Sequence, residues 1–250
     1  MSFYQLFASN LKILYRNWRG LFWNILLPLA IYVAVALLGS HFKFGDIGIA
    51  YSDYLLPGIL AMTIMQTGIY TLAYWLIELK ATGVMKRFEV TPISVSELLG
   101  SLVGTRLVLI YIQVVLVSVV AYWIFKTHIY GNLLPIALLT LLGGAIFLCL
   151  GFLISIIADS YDEAAPISAG VNLLLTFLGN VFFPISILPK AIREVAKKLP
   201  LSFLSDGMRS SYTVAGAGFS KVAGDILALA IWFLIVFCFT VYFYKIKRKK

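Results

Sequence analysis

Asp159, Asp162 and Glu163 fall within five residues of one another and form the densest grouping of acids in the sequence. Carboxylates that close could hold a divalent cation or relay a proton, yet their spacing matches no recognised metal-binding loop, and a turn beside lipid headgroups would solvate them equally well. A solvated connector is the expectation. The other reactive side chains are scattered: His41 and His128 stand alone in short loops, while Cys149 and Cys238 lie inside apolar runs without CxxC spacing. No metal site and no catalytic residue is expected. No G-x-x-x-x-G-K-[ST] occurs, so the chain carries no phosphate-cradling loop of its own. The other notable concentration of charge is residues 78–97, ELKATGVMKRFEVTPISVSE, with three of the eleven acids and three of the twenty basic residues. Gly83 permits a left-handed turn, and Pro92 stops a helix while pushing Thr91 towards extended backbone. Between them Val84–Val90 fits a short helix on the membrane surface presenting Lys86, Arg87 and Glu89. The stretch reads as a docking element.

The elements that would position these groups follow from composition. The chain of 250 residues is 61% hydrophobic and only 12% charged, with a mean hydropathy of +0.95. Several apolar runs reach about 20 residues, the length that crosses a bilayer. An all-α integral membrane protein follows. The net charge of +9 flanks those runs, which points to anionic membrane lipids rather than nucleic acid as the counter-charge.

Residues 1–19 are amphipathic at helical spacing, with Phe3, Phe7, Leu11, Leu14 and Trp18 on one face and Gln5, Ser9, Lys12, Arg16 and Arg19 on the other. An interfacial helix is expected; a cleaved signal peptide is not, because the basic residues come late and Leu38-Gly39-Ser40-His41 is a poor cleavage site. Six spans are expected, at about Leu21–Leu38, Tyr54–Ile77, Leu98–Phe125, Leu133–Ile157, Ala164–Phe183 and Ile226–Tyr244. In the second, Thr63, Gln66, Thr67, Tyr70, Thr71, Tyr74 and Glu78 share one sector. In the fifth, Ser168, Asn172, Thr176 and Asn180 recur every four residues. Polar faces this wide should meet protein or water, so Thr63, Gln66, Thr67, Tyr70, Asn172, Thr176 and Asn180 line either a substrate route or a packing interface, possibilities that the sequence leaves open. The third span opens with Gly100-x-x-x-Gly104, and its Arg106 is expected to snorkel to the nearer interface. The connector 184–223 should form short amphipathic helices, one between Pro189 and Pro200 and one from Pro200 to about Val214.

Basic residues set the orientation. With both termini cytoplasmic, Lys12, Arg16, Arg19, Lys80, Lys86, Arg87 and the five basic residues of the tail face inward. The connector disagrees, because it would place Lys190, Arg193, Lys197, Lys198, Arg209 and Lys221 outside.

The order of an amphipathic helix, two spans, a loop E-x-K-x-x-G-V-M-K-R-F-E-V-T-P-I-S, spans ending in F-F-P-I-S-I-L-P, and a later P-L-S-F-L-S-D-G-M-R resembles the type-2 permease family of ATP-binding-cassette (ABC) exporters. The resemblance covers essentially the whole chain, 1–250, as one permease domain. It implies a multi-pass protein of the cytoplasmic (inner) cell membrane with both termini cytoplasmic. It implies that 78–97 is a coupling helix seated in a separate ATP-binding subunit, shaped by Glu78, Gly83, Lys86, Arg87, Thr91 and Pro92, and that 184–223 forms re-entrant helices on the outer side. ATP and Mg would be bound by the partner subunit, with no cofactor in this chain. A second permease, identical or related, would complete the pathway. The implied activity is ATP-driven export of a hydrophobic or amphipathic, drug-like or lipid-like substrate. A polysaccharide or glycolipid cargo is the alternative within the family, and an ATP-independent lipid-modifying membrane enzyme built on the acidic trio is the alternative from another class.

Overall fold

The computed structural model describes residues 3–39, 50–84, 95–127, 130–214 and 218–248. Among them the chain is helical, with no strand. α1 (Phe3–Arg16) breaks at Asn17, whose side-chain oxygen accepts from the Gly20 amide at 3.3 Å and so starts α2 (Trp18–Gly39). There follow α3 (Tyr51–Ala81), α4 (Val95–Phe125), α5 (Leu133–Ile157) and α6 (Tyr161–Leu178). A 3-10 turn at Ile185–Ile187 leads to α7 (Lys190–Ala196), α8 (Pro200–Thr213) and α9 (Phe219–Arg248).

Five of these helices, α2, α3, α4, α5 and α9, are long and apolar enough to cross a membrane. The protein is therefore a multi-pass membrane protein. α6 follows the segment expected for the fifth span but covers 161–178 rather than 164–183. Its end is set by Gly179 and by Asn180, which takes a left-handed φ of 57°. Gly followed by Asn is common where a helix stops, because both tolerate that conformation. Its start has an equally local cause: the Ser160 hydroxyl accepts from the Glu163 amide, and the Glu163 carboxylate accepts from the Asp159 amide at 2.9 Å, a variant of the reciprocal capping box.

α3 is the centre of the bundle: 83% of its apolar window is covered by the rest of the chain, against 17% for α2 and for α9. Apolar side chains exposed on α2 and α9, such as Leu27, Leu227 and Leu234, face outward where lipid would solvate them. α3 and α5 meet at Gly68 and Gly151, where a methyl group on Gly151 would stand 2.7 Å from the carbonyl oxygens of Gly68 and Ile69. Only glycine allows that approach.

Two ends of the bundle are distinguishable. At one, α1 lies across the start of α4, with Asn10 donating to Ser101 at 3.0 Å and the Phe3 and Phe7 rings resting over Gly100 and Gly104. The small-residue pair in α4 thus seats α1. The inward residues of α1 are Leu6, Phe7, Asn10, Leu11 and Leu14, while Phe3 and Trp18 are exposed. The inward face is shifted by about one position from the expected one, and the break at Asn17 takes Trp18 off it. At the opposite end, the Tyr130 amide donates to the Tyr212 carbonyl at 3.0 Å, and Tyr32 packs edge-on against Phe125.

Candidate functional site

At the α1 end, α3 carries Glu78 and Lys80 in its last turn and then Gly83. The Thr82 amide and hydroxyl both bond the Glu78 carbonyl, closing the helix. Gly83 has φ 67°, with nothing within 4 Å of where a Cβ would be. The glycine is needed for its backbone conformation and not for space. Lys80 donates to the Ser155 carbonyl at the end of α5. Lys247, near the end of α9, donates to the Ile156 carbonyl at 2.6 Å and to Asp159 at 2.5 Å. That ammonium holds the Asp159 carboxyl below the usual aspartate range. The ends of α3, α5 and α9 are therefore tied together at the same face as α1. Lys86, Arg87, Thr91 and Pro92 lie outside the described residues.

Two of the three clustered acids have partners here. Asp159 pairs with Lys247, Glu163 caps α6, and all three acids are exposed. No group of three metal-ligating side chains occurs among the described residues.

The polar sector of α3 divides in two. Thr63 and Thr67 are buried within the chain: Thr63 donates to its own helix at Ile59, and Thr67 donates at 2.8 Å to Gln113 of α4, whose amide in turn donates to the Asn24 carbonyl of α2. Gln66, Tyr70, Thr71 and Tyr74 are half-buried, and Glu78 is exposed. α6 runs beside this second group. Tyr161 donates to the Tyr74 carbonyl at 3.3 Å, and Asn172 stands beside Tyr70. Thr176 is buried and donates to Asn172 at 3.5 Å. The outer face of α6, with Leu173, Leu174 and Phe177, is apolar and exposed.

Asn180 is brought to neither a route nor that outer face. It accepts from the Tyr54 hydroxyl at 2.8 Å and donates to Asp206. Arg209 completes the cluster, donating to Asp206 at 3.0 Å, to the Asn180 carbonyl at 2.8 Å and to the Tyr54 carbonyl at 3.3 Å, with its guanidinium 4.0 Å from the centre of the Tyr54 ring. The start of α3, the end of α6 and the middle of α8 are locked together there. The Pro200–Arg209 stretch singled out in the sequence thus carries a structural joint. Nearby, Arg193 clamps the 3-10 turn through the carbonyls of Ser186 and Leu188.

Arg106 departs from its expected snorkelling. Its side chain is 5% exposed and turns inward, stacked 5.2 Å from the centre of the Trp75 ring. It borders an open-mouthed cavity of about 350 Å³ lined by α1, α2, α3 and α4, together with Asn17, Asn24, Tyr70 and Glu78. An aromatic partner on α3 draws the guanidinium into the bundle instead of outward.

The sequence compares with known proteins in the same sense. The profile of the family described as "ABC-2 type transporter" matches residues 1–213. The inner membrane transport permease YadH of Escherichia coli K12 is 21% identical over 179 residues, covering 70% of this chain and 68% of the relative. Nodulation protein J of Rhizobium leguminosarum bv. viciae is 24% identical over 201 residues, covering 76% and 73%. ABC transporter G family member 20 of Dictyostelium discoideum is 23% identical over 167 residues, which is 66% of this chain and 23% of that longer protein. A profile match over most of the length, on a chain whose helices are built to cross a membrane, settles the family: the protein belongs to the ABC-2 type transporter family and is a multi-pass membrane transport permease.

Proposed function

We propose that the chain is one permease half of an ATP-driven exporter in the cytoplasmic membrane, with both termini on the cytoplasmic side. A separate ATP-binding subunit, holding ATP and Mg, docks on 78–97 and on α1, and a second permease completes the pathway. The observation that carries this reading is the convergence at one face of α1, the Glu78–Gly83 end of α3, and the Lys80–Ser155 and Lys247–Asp159 ties. A force on the loop after Gly83 would reach three helix ends at once.

Six crossings fit the geometry better than five. α6 begins beside Tyr74, and Asn180, two residues past its end, reaches Tyr54, so it accompanies twenty residues of α3, roughly 30 Å at 1.5 Å per residue. Three of the six basic residues of the outer connector are engaged within the chain, which lessens their weight against this topology: Arg193 and Arg209 by carbonyls and Asp206, and Lys197 by Glu194 at 3.0 Å. The exposed apolar face of α6, flanked by Gln66, Tyr70 and Asn172, is the surface we assign to the second permease and to the cargo between the two copies. Those half-buried polar groups among apolar neighbours favour an amphipathic cargo over a small ion.

The test is purification of the tagged protein from its native membrane in mild detergent, with stoichiometric partners identified. ATPase activity is then compared between wild type and a Gly83→Pro, Arg87→Glu variant. Co-purification of a Walker-motif subunit, uncoupled or lost in the variant, is expected. A preparation without any nucleotide-binding partner, in which the variant behaves as wild type, defeats the reading.

A further inference from the structure

Two residues that line the cavity beneath α1 each carry a buried hydrogen-bond donor with no acceptor among the described residues: Nε of Arg106 and Nε1 of Trp75. They are neighbours, since the guanidinium lies over the Trp75 ring, and both residues border the same void of about 350 Å³. Arg106 forms no ion pair with any described acid; Glu78 lines the cavity but stands beyond pairing distance and is itself exposed. A guanidinium taken out of water without an anion is held at a large desolvation cost, and its forked donors match phosphate or carboxylate oxygens. Such a site is incomplete without an oxyanion.

We propose that this cavity binds the phosphate of an anionic lipid with a hydroxylated headgroup, drawn from the leaflet in which α1 lies. Arg106 and the Trp75 indole donate to the phosphate, while Asn17 and Asn24 are placed to meet the ester and glycerol oxygens. Glu78 cannot face a second anion, but it accepts from a headgroup hydroxyl. Ile13, Leu14, Leu21 and Leu109 give the cavity an apolar wall, and α2 continues it outward through the exposed Phe22, Trp23 and Leu27, a surface suited to an acyl chain. The exposed Lys12 and Arg16 of α1 gather anionic lipid near the mouth. Membrane embedding is the only part of the functional reading that the proposal uses; the direction of transport does not enter it.

The test is native mass spectrometry of the detergent-solubilised full chain titrated with phosphatidylglycerol and, separately, phosphatidylcholine. Wild type should bind phosphatidylglycerol about tenfold more tightly than phosphatidylcholine, and Arg106→Leu should lose about that factor, the size of one charge-assisted hydrogen bond. Trp75→Phe keeps the ring under the guanidinium and removes only the donor; it should weaken phosphatidylglycerol about threefold and carries the test if Arg106→Leu does not fold. Lys221→Leu, which removes an exposed charge at the start of α9 away from the cavity lining, should bind as wild type. Equal affinity for the two lipids, unchanged binding in Trp75→Phe, or displacement of the lipid by inorganic phosphate alone would each overturn the proposal, the last by showing a site for a free anion.

Discussion

Arg209→Met should unfasten the joint between α3, α6 and α8. The arginine side chain is 13% exposed and supplies three hydrogen bonds to two carbonyls and Asp206, as well as a stack on Tyr54. Methionine restores most of the apolar stem, so the loss is mainly polar. Hydrogen bonds involving a charged group contribute about 1.5–3 kcal/mol each when buried, but their sum overstates the effect because Asp206 is 45% exposed and water can replace its partner. A net cost of about 2–4 kcal/mol is expected. In a chain of this length that corresponds to a fall of about 5–15 °C in the melting temperature, read from tryptophan fluorescence in detergent. Arg209→Lys should recover less than half, because a single ammonium cannot span Tyr54, Asn180 and Asp206 together. The double variant Asp206→Asn, Arg209→Met should melt above the sum of the singles, since removing the acid relieves the charge left behind. If Arg209→Met melts within about 2 °C of wild type, the joint does not contribute as its geometry requires.

Gly151→Ala would drive a methyl group to 2.7 Å from two α3 carbonyls, an overpacking cost of about 1–3 kcal/mol, and should lower the melting temperature; an unchanged melt would mean the helices part there without penalty. Gly83→Asn should keep partner ATPase coupling and Gly83→Val should lose it, because the position needs left-handed backbone and has room for a side chain. The coupling assay fails this idea if the two behave alike. Lys247→Met should cost at most about 1 kcal/mol at neutral pH, given how exposed the pair is. Asp159 has its folded value depressed, so the contribution is present above the unfolded value of about 3.9 and disappears as the pH falls through the folded one; melting curves of wild type and Lys247→Met should converge there. In a Cys149→Ala, Cys238→Ala background, Phe177→Cys on α6 should form a disulfide-linked dimer in membranes and Leu234→Cys on α9 should not. Cross-linking confined to α9 would move the permease contact away from α6.

Much of this architecture is visible in residue order, because lipid imposes length and hydropathy on any helix that crosses it. Five spans lie close to where their apolar runs stand, and α7 and α8 start at the prolines that pre-set their first turns. α6 is harder to place, because Asn172, Thr176 and Ser168 dilute its hydropathy and its end depends on the backbone of Asn180. Helical periodicity groups Thr63 and Thr67 with Gln66 and Tyr70, but a sector says which residues neighbour one another and not what they meet. Here Gln113, forty-six residues after Thr67, takes the two threonines' side of the helix into the interior. The same limit applies to Arg106, whose inward turn depends on Trp75 of another helix. Asn180, Asp206 and Arg209 were each conspicuous as polar residues in a greasy chain; only folding brings them to Tyr54. The Gly179-Asn180 pair, a common helix stop, was the signal that could have placed Asn180 at a joint rather than on a polar face.

The unbroken length of α3 has a further consequence. Its 31 residues form a rod of about 46 Å, joined near its start through Tyr54 to Asn180 and ending at the Gly83 turn. Its tightest crossing, Gly68 on Gly151, divides that rod into arms of about 25 Å towards Tyr51 and about 20 Å towards Ala81. With the crossing as fulcrum, each degree of tilt displaces Ala81 by about 0.3 Å and Tyr51 by about 0.4 Å in the opposite direction. A displacement of the Ala81 end would therefore reach the opposite end reversed in sense and slightly enlarged.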